Sequence, residues 1–256
     1  MEITGPWNKE LLQLLPKSMK FLCHMGAGYD SIDVPTCTDL GILVSHAPGA
    51  VEDSTADAAM FLILAALRLF NNGIMAIRNG TWEGRTPPPP LGHNPQGKVL
   101  GILGMGGIGR NVKKKAEAFG MRVIYHNRNP LDDVAAAGAE YVSFDDLLAR
   151  SDVLSLNLPL NANTRHIIST AAFQKMKKGI VIVNTARGGV LDESALVEAI
   201  SNGTVRSVGL DVYEAEPSIH PDLVSNPLVC LLPHMGTSTV EVSTTPLVST
   251  CKPFQY

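Results

Sequence analysis

A glycine-rich segment is the first part of this sequence whose residue types and spacing could do chemistry. Gly104, Gly106 and Gly109 follow the apolar run KVLGIL in the spacing GxGxxG, with Gly107 and Ile108 between the last two. In a strand–turn–helix unit the first glycine permits a tight turn, the second lets the backbone approach a pyrophosphate, and the third lets helix and strand pack closely. The helix N-terminus then offers N–H donors to the phosphates. The segment therefore predicts a dinucleotide site.

The end of the next predicted strand bears on which dinucleotide would bind. A site for an unphosphorylated ribose is expected to carry an acidic residue there, about 20 positions after the glycines. This strand instead ends Tyr125-His126-Asn127-Arg128. Arg128 could pair bidentately with a 2′-phosphate, and Asn127 could donate a hydrogen bond to it. We therefore expect NADPH as cofactor, with NADH possible; the alternative is that Arg128 is a solvated turn residue.

Three downstream segments each place an ionisable residue beside the end of a predicted strand. Arg187 lies in NTARGG, Asp211 and Glu216 lie in GLDVYEAEP, and His234 lies in PHMGT. Ligands of open α/β sheets bind outside the carboxyl ends of the strands. Taken singly, each has an ordinary explanation as a surface cation, a loop carboxylate or a loop histidine. Their shared position at strand ends is what makes them candidates for one site.

The elements that must position these residues form a regular alternation from residue 98 onward. Short apolar runs rich in β-branched residues predict strands over 99–103, 123–125, 153–158, 180–183, 208–212 and 229–232. Amphipathic stretches between them predict helices over 111–119, 144–149, 171–176 and 193–200, with Ser143 and Asp192 as helix caps. Continuous apolar strands separated by helices indicate a parallel sheet covered on both faces, which is a doubly wound α/β (Rossmann) fold.

The chain upstream of this sheet predicts a different unit. Two further strands are expected over 19–25 and 42–45, joined by a glycine-rich turn and a short helix around 31–39. The apolar run AAMFLILAAL within 52–69 is too short to span a membrane and predicts a buried or interface helix, through which we expect a homodimer. We expect a partial substrate domain over 1–95, including this helix and part of a proline-rich loop over 83–98. A dinucleotide domain over 96–236 and an irregular tail over 237–256 would follow.

Composition narrows the class of protein. The 256 residues are 45% hydrophobic and 18% charged, with a formal net charge of −3. That balance argues against a disordered chain and against a nucleic-acid partner. The four cysteines are scattered without zinc-ligand spacing, so we expect free thiols and no metal site. The N-terminus lacks the pattern of a signal peptide, and a cytoplasmic location is expected.

Taken together, the segments resemble the D-isomer-specific 2-hydroxyacid dehydrogenase family, specifically its glyoxylate/hydroxypyruvate reductase branch. The resemblance runs from about residue 19 to 239 and covers, in order, GAGYDSID, GMGGIG, NTARGGVLDESAL, GLDVYEAEP and PHMGTST. It implies a Rossmann domain beside a flavodoxin-like substrate domain. The family's additional strands before residue 19 and its long helix after residue 239 have no counterpart here. We therefore expect an incomplete substrate domain, truncated at both ends.

The resemblance also implies roles for single residues. Arg187 would hold the carboxylate and carbonyl oxygens of a 2-keto acid, and His234 would protonate the carbonyl oxygen. Glu216, if within hydrogen-bond reach, would orient the imidazole and favour its charged form. Backbone donors at Ala27 and Gly28 would complete the carboxylate pocket. The nicotinamide side and the rest of the dinucleotide would be lined by Thr185, Ala186, Asp211, Pro159 and Thr164.

The function expected from these observations is reduction of glyoxylate or hydroxypyruvate to the D-2-hydroxy acid with NADPH. Two alternatives stay open. One is an NAD-dependent D-2-hydroxyacid dehydrogenase that acts on a bulkier keto acid. The other is a non-catalytic dinucleotide-binding protein that senses the cofactor and serves as an interaction partner, although the presence of Arg187, Glu216 and His234 argues against it.

Overall fold

The computed structural model describes residues 5–82 and 91–244 and the backbone of 252–253. By their internal contacts these residues form two compact units. One contains the described residues up to Ser54 and from Thr237 onward, and the other runs from Thr55 to Gly236. The contacts therefore divide the chain near residue 55, whereas the sequence predicts a division at 95. Part of the predicted loop, residues 83–90, lies outside the described residues.

The elements are numbered in chain order. The strands are β1 (Phe21–Cys23), β2 (Leu43–His46), β3 (Val99–Leu103), β4 (Arg122–His126), β5 (Glu140–Tyr141), β6 (Val153–Leu156), β7 (Ile180–Asn184), β8 (Val205–Leu210), β9 (Val229–Leu231) and β10 (Lys252–Pro253). The helices are α1 (Lys9–Gln13), α2 (Val34–Asp39), α3 (Glu52–Arg68), α4 (Phe70–Arg78), α5 (Gly107–Ala118), α6 (Asp133–Ala136), α7 (Phe144–Arg150), α8 (Thr170–Phe173), α9 (Glu193–Ser201), α10 (Pro221–Val224) and α11 (Val240–Thr244).

A seven-stranded sheet forms the larger unit. Its order is β5-β4-β3-β6-β7-β8-β9, and every pairing is parallel. Successive residues of one strand enter different cores, since Val181 and Val183 pack on one face of the sheet and Ile182 on the other. Helices α3 and α5 supply the first core, and α7, α8 and α9 supply the second. The predicted doubly wound Rossmann fold is confirmed.

Helix α3 packs directly onto the sheet because β8 carries small residues under it. A Cβ atom added at Gly209 would lie 2.7 Å from the Cβ of Leu62, so only glycine leaves room for the helix. The hydroxyl of Ser207 donates to the backbone oxygen of Ala66 over 2.8 Å. Most of α3 is consequently buried within its own chain, which explains its apolar character on nearly all sides.

The apolar segment is two helices rather than one. Leu69 has a left-handed φ of 56°, which ends α3 at Arg68, and α4 then begins at Phe70. The two axes differ by 80°. Within the described residues no single helix is both long and apolar enough to cross a membrane; only this bent pair, taken together, meets the length and composition criteria.

The smaller unit contains a three-stranded sheet in the order β1-β2-β10. Strand β2 pairs in parallel with β1 and antiparallel with β10. Its core is small and consists of Leu12, Leu22, Ile32, Cys37, Ile42 and Val44. Asp33 caps α2 by accepting from the Thr36 N–H over 3.0 Å.

The predicted elements agree with the observed ones in type, and they differ mainly at their ends. The caps at Ser143 and Asp192 are confirmed, since their side chains accept from the N–H groups of Asp146 and Ala195. The prediction of a wholly irregular tail is wrong, because α11 occupies part of it. The Thr239 hydroxyl accepts from the Val242 N–H over 3.1 Å and so caps that helix.

Candidate active site

The glycine loop between β3 and α5 has the geometry that its spacing predicts. Gly104 has a φ of 97°, and a Cβ there would lie 2.7 Å from the backbone oxygen of Asn157. A Cβ at Gly109 would lie 2.5 Å from the oxygen of Gly104, so this glycine allows the helix to approach the strand. A Cβ at Gly106 would meet no atom of the protein within 4 Å. The second glycine therefore borders open space.

The residues around this loop fit a bound dinucleotide. Helix α5 spans 12 residues and begins at Gly107, and its cap Gly106 has no side chain to satisfy the first N–H groups. At the neighbouring strand ends, Asn157 Oδ1 and Thr185 Oγ1 are buried without a hydrogen-bond partner. Buried polar atoms are normally paired, so these two oxygens mark positions where a ligand is expected to supply the missing bond.

The residues predicted to contact the dinucleotide lie at the same sheet edge. Asn127 and Arg128 directly follow β4, and Arg128 is exposed. Asn127 also has a role that the sequence did not indicate, because its Oδ1 accepts from the Met105 N–H over 2.7 Å and so holds the glycine loop. The Thr164 hydroxyl donates to the Pro159 oxygen over 2.6 Å, which closes a turn after β6.

The end of β7 shapes the turn that carries Arg187. The buried Asn184 amide accepts from the Ala186 N–H over 3.0 Å and donates to the Arg187 oxygen over 2.9 Å. The Arg187 guanidinium, half-buried, donates to the Ala186 oxygen over 2.8 Å. Just after it, a Cβ at Gly188 would lie only 1.8 Å from the carbonyl carbon of Tyr213. The turn is thus pressed against the loop that follows β8.

Glu216 and His234 form the hydrogen-bonded pair at the centre of the site. Glu216 Oε2 lies 2.7 Å from His234 Nδ1, and Glu216 Oε1 accepts from the Tyr213 N–H over 2.8 Å. Burial alone would raise the pKa of Glu216. The bonds from His234 and Tyr213, together with the positive charges of His234 and Arg187, outweigh burial and lower that pKa. The charge of Arg187 thus acts on Glu216, and the catalytic roles of the three residues stay predictions.

Asp211 has a positioning role in this structure. Its two carboxylate oxygens accept from the N–H groups of Met235 and Gly236, each over 2.8 Å. Burial raises the pKa of Asp211, and the two amide bonds oppose that effect only in part. Asp211 thereby fixes the backbone next to His234, whose own φ of 51° is left-handed.

Ala27 and Gly28 lie in the smaller unit, in the turn after β1. The Ala47 N–H donates to the Gly26 oxygen over 3.1 Å, and His46 Nδ1 contacts the Ala27 oxygen over 2.8 Å. These bonds tie the turn to the end of β2. The predicted role of the two backbone donors stays a prediction.

Comparison with known proteins bears on this arrangement. Residues 60–236 match the NAD binding domain of D-isomer specific 2-hydroxyacid dehydrogenases. The 4-methyl-2-oxopentanoate reductase A of Aspergillus oryzae is 60% identical over 94% of this chain and 72% of that protein. A glyoxylate reductase from Paecilomyes thermophila has a crystal structure that superposes with a TM-score of 0.88, at 58% identity over 93% of this chain and 72% of that one.

The chain belongs to the D-isomer-specific 2-hydroxyacid dehydrogenase family. A third relative is the NADPH-dependent glyoxylate/hydroxypyruvate reductase of Sinorhizobium meliloti, whose structure contains NADP and malonate. It is 32% identical, with a TM-score of 0.85, over 93% of this chain and 74% of that one. As a member of the family, this protein is an NAD(P)-dependent oxidoreductase that acts on small keto or hydroxy acids.

For this dehydrogenase, sequence reasoning missed several residues that build the site. Asn184 and Asn157 are polar residues at the ends of apolar strands, and that position could have indicated their roles. Gly188 gave no such signal, since its close contact with Tyr213 depends on two loops far apart in the chain. Among the described residues, no group of three or more His, Cys, Asp or Glu is placed to hold a metal ion.

Proposed function

We propose that this enzyme uses NADPH to reduce a small 2-keto acid, either glyoxylate to its achiral 2-hydroxy acid or hydroxypyruvate to the D-2-hydroxy acid. The observation that carries the proposal is the hydrogen bond of 2.7 Å between Glu216 Oε2 and His234 Nδ1, with Arg187 close enough for its charge to act on Glu216. A cation for the carboxylate and an acid for the carbonyl oxygen are the two protein groups that this reduction requires.

The protein's own residues would divide the work as follows. A carboxylate can only accept hydrogen bonds, so Glu216 fixes the His234 tautomer with hydrogen on Nδ1 and leaves Nε2 to carry the transferable proton. Arg187 would bind the substrate carboxylate and stabilise the negative charge that develops on the carbonyl oxygen. The bound nicotinamide supplies the hydride that reduces the carbonyl carbon. Nε2 of His234 then gives its proton to that oxygen.

The preference for NADPH rests on the residues after β4. Arg128 is exposed there, and no acidic residue occupies the position that would bind a free ribose hydroxyl. An exposed guanidinium suits a 2′-phosphate because it can form two parallel hydrogen bonds to it. The Sinorhizobium meliloti relative, which is named NADPH-dependent, supports the same choice.

A bulkier keto acid is the second candidate substrate. The Aspergillus oryzae relative is named for 4-methyl-2-oxopentanoate, a branched acid, and it is 60% identical to this chain. The chemistry at Arg187, Glu216 and His234 would be the same for either acid. The two candidates differ in the size and polarity of the group next to the carbonyl.

Initial rates with both cofactors test the proposal. We expect NADPH absorbance to fall with glyoxylate or hydroxypyruvate, and kcat/KM to be lower with 4-methyl-2-oxopentanoate and with NADH. His234→Ala should lower kcat about 10²- to 10⁴-fold, since it removes the acid, while the Kd for NADPH stays nearly constant. NADPH binding without turnover of any keto acid would instead support a non-catalytic, cofactor-sensing protein.

We also propose that the enzyme forms a homodimer, with a surface that differs from the one first expected. Most of α3 is buried in its own chain, so little of it is available to a second subunit. The exposed apolar residues of this region are Phe61 on α3 and Phe70, Ile74 and Ile77 on α4. The last three recur at intervals of four and three residues, which places them on one helix face. Such an apolar stripe is typical of a helix that packs against a partner.

A further inference from the structure

Two loops that carry proposed catalytic groups are joined by a reciprocal pair of hydrogen bonds that the reaction itself does not use. The Glu214 N–H donates to Glu193 Oε1 over 2.9 Å, and the Glu193 N–H donates to Glu214 Oε2 over 3.1 Å. Glu193 begins α9, shortly after the Arg187 turn, and Glu214 lies in the same loop as Glu216. The pair therefore connects the Arg187 loop to the Glu216 loop.

The position of Glu193 is costly for a carboxylate. Its exposed fraction is only 6%. Burial raises the pKa of Glu193; the Glu214 N–H opposes this rise, whereas the carboxylate of Glu214 adds to it. A buried charge beside a like charge is unfavourable for folding. We therefore expect the carboxylate to make an interaction that an apolar side chain could not make. What it supplies here is an acceptor for a backbone N–H of the neighbouring loop.

A third loop joins the same cluster through His166. The ring Nε2 of His166 contacts Glu214 Oε1, and the His166 N–H donates to the Gly189 oxygen over 2.8 Å. His166 lies two residues after the turn from Pro159 to Thr164, which the family resemblance places near the dinucleotide. Glu214 thus accepts from two different loops with its two oxygens.

The loops have little freedom to shift against one another. Gly188 lies so close to Tyr213 that a Cβ would overlap the Tyr213 carbonyl group at 1.8 Å. Arg187 immediately precedes Gly188, and Glu214 immediately follows Tyr213. Because backbone meets backbone here, loss of the hydrogen bonds at Glu193 and Glu214 would loosen a contact that determines where the guanidinium lies.

We propose that Glu193 and Glu214 are positioning residues that hold the Arg187 loop against the Glu216 loop, so that the guanidinium stays aligned with the Glu216–His234 pair. The inference rests on the proposed function, in which these groups bind and protonate a 2-keto acid. In this proposal neither Glu193 nor Glu214 contacts the substrate. Both act through the backbone that they hold.

Two variants at Glu193 separate positioning from simple packing. Glu193→Leu fills a similar volume but removes the acceptor, whereas Glu193→Gln keeps one oxygen for the Glu214 N–H. Hydrogen–deuterium exchange of the intact protein should speed up in the segments 187–191 and 213–217 of Glu193→Leu and stay near the wild-type rate in Glu193→Gln. If Glu193→Leu leaves exchange in both segments unchanged, the clamp does not exist and the proposal is overturned.

Steady-state kinetics supply the second measurement. We expect Glu193→Leu to raise KM for the keto acid and lower kcat, with a combined loss in kcat/KM of about 10- to 100-fold, as for a small misplacement of a catalytic group. The Kd for NADPH should change much less than kcat/KM for the keto acid, because the glycine loop that would bind the pyrophosphate is not part of the cluster. Glu193→Gln should recover most of the loss. If Glu193→Leu lowers kcat and leaves KM unchanged, the variant merely has a smaller folded fraction. That result would refute the proposal.

A double variant tests whether Glu193 acts through Arg187. If it does, Glu193→Leu should add little to the loss already caused by Arg187→Lys, because the effects of coupled residues are not additive. Fully additive losses would overturn the inference. Failure of the proposed function is distinguishable, since a wild-type enzyme that turns over no 2-keto acid would still show the exchange difference between Glu193→Leu and Glu193→Gln.

Discussion

Glu216 accepts one hydrogen bond with each of its oxygens, one from His234 and one from the Tyr213 N–H. The second bond matters as much as the first, because it holds the carboxylate in place. The Tyr213 bond fixes the carboxylate in the loop after β8, so the orientation of the imidazole is set by backbone structure. A glutamine at this position offers one acceptor and one donor group, and it cannot reproduce both bonds. The pair should therefore contribute to stability as well as to catalysis.

The pH dependence of stability follows from the lowered pKa of Glu216. A carboxylate whose folded-state pKa lies below its ordinary 4.5 stabilises the fold fully above that value, and it loses this contribution as the pH falls through the folded-state pKa. We expect Glu216→Gln to have a lower Tm than wild type at pH about 6, with the difference shrinking towards pH about 3. Thermal unfolding at several pH values measures this. Glu198→Gln, on the exposed face of α9, is the matched control.

We propose that Arg128 determines the preference for NADPH over NADH. Arg128→Asp should remove the partner of the 2′-phosphate and place a carboxylate near the ribose, so the ratio of kcat/KM for NADPH over that for NADH should fall about 100-fold or more. Lys178→Asp makes the same charge change at an exposed residue before β7 and should leave the ratio unchanged. If the NADPH preference survives in Arg128→Asp, the assignment of Arg128 is incorrect.

At the scale of elements, the loop between β3 and α5 contains two glycines that the fold requires and one, Gly106, that we propose binds the cofactor. Gly106 has an ordinary φ of −80° and open space where a Cβ would point. Gly106→Ala should therefore fold with an unchanged Tm and yet bind NADPH about tenfold more weakly or worse, which is about 1.4 kcal/mol. Fluorescence titration of NADPH provides the measurement. Gly49→Ala, which also faces open space, is the control; equal affinity in Gly106→Ala would exclude this glycine from the pyrophosphate site.

The elements also show where sequence reasoning works and where it stops. The strand over Val99–Leu103 is predicted to the residue, because a buried parallel strand is a continuous apolar run between turn signals. Helix α5 begins at Gly107, four residues before its predicted start at Asn111. Glycine disfavours helix, and contact of Gly109 with the strand overrides that preference. Strand β5, two residues long, has no sequence pattern and depends on pairing with β4.

For the site, the sequence predicted which residues take part better than it predicted their hydrogen-bond partners. Arg187, Glu216 and His234 were identified from three motifs, and the hydrogen bond between Glu216 and His234 is present. The bonds of Asp211 to Met235 and Gly236 could not be foreseen, because they join a strand end to a loop more than 20 residues later, with local geometry that depends on the left-handed φ of His234.

At the scale of the whole molecule, the apolar face of α4 determines the expected assembly. Phe70, Ile74 and Ile77 are 44%, 42% and 63% exposed. We expect wild-type protein to run as a dimer in light scattering coupled to size exclusion, and the double variant Ile74→Glu with Ile77→Glu to run as a monomer. Val134→Glu, at another exposed apolar position, should stay dimeric. A wild-type monomer at micromolar concentration would contradict the assignment.

The three cysteines whose state the structure describes, Cys23, Cys37 and Cys230, are free thiols. Three expectations stay predictions from composition and spacing. They are that the protein has no metal site, that it does not bind nucleic acid, and that it is cytoplasmic. The fold and the family are established, and the small unit is where the sequence is least informative. Among the described residues its main apolar cluster has six buried members, so few of its contacts can be anticipated from periodicity.

The glycine loop, Arg187, Glu216 and His234 are all encoded between residues 55 and 236, inside one compact unit, whereas Ala27 and Gly28 belong to the other. The groups that we propose for cofactor binding and proton delivery could therefore be transferred together as one contiguous segment of the gene. Chimaeras that keep this segment and exchange the remaining sequence with relatives would vary the accepted acid without rebuilding the reaction. Such a chimaera needs two crossover points, near residues 55 and 236, because the smaller unit is built from segments on both sides of the larger one.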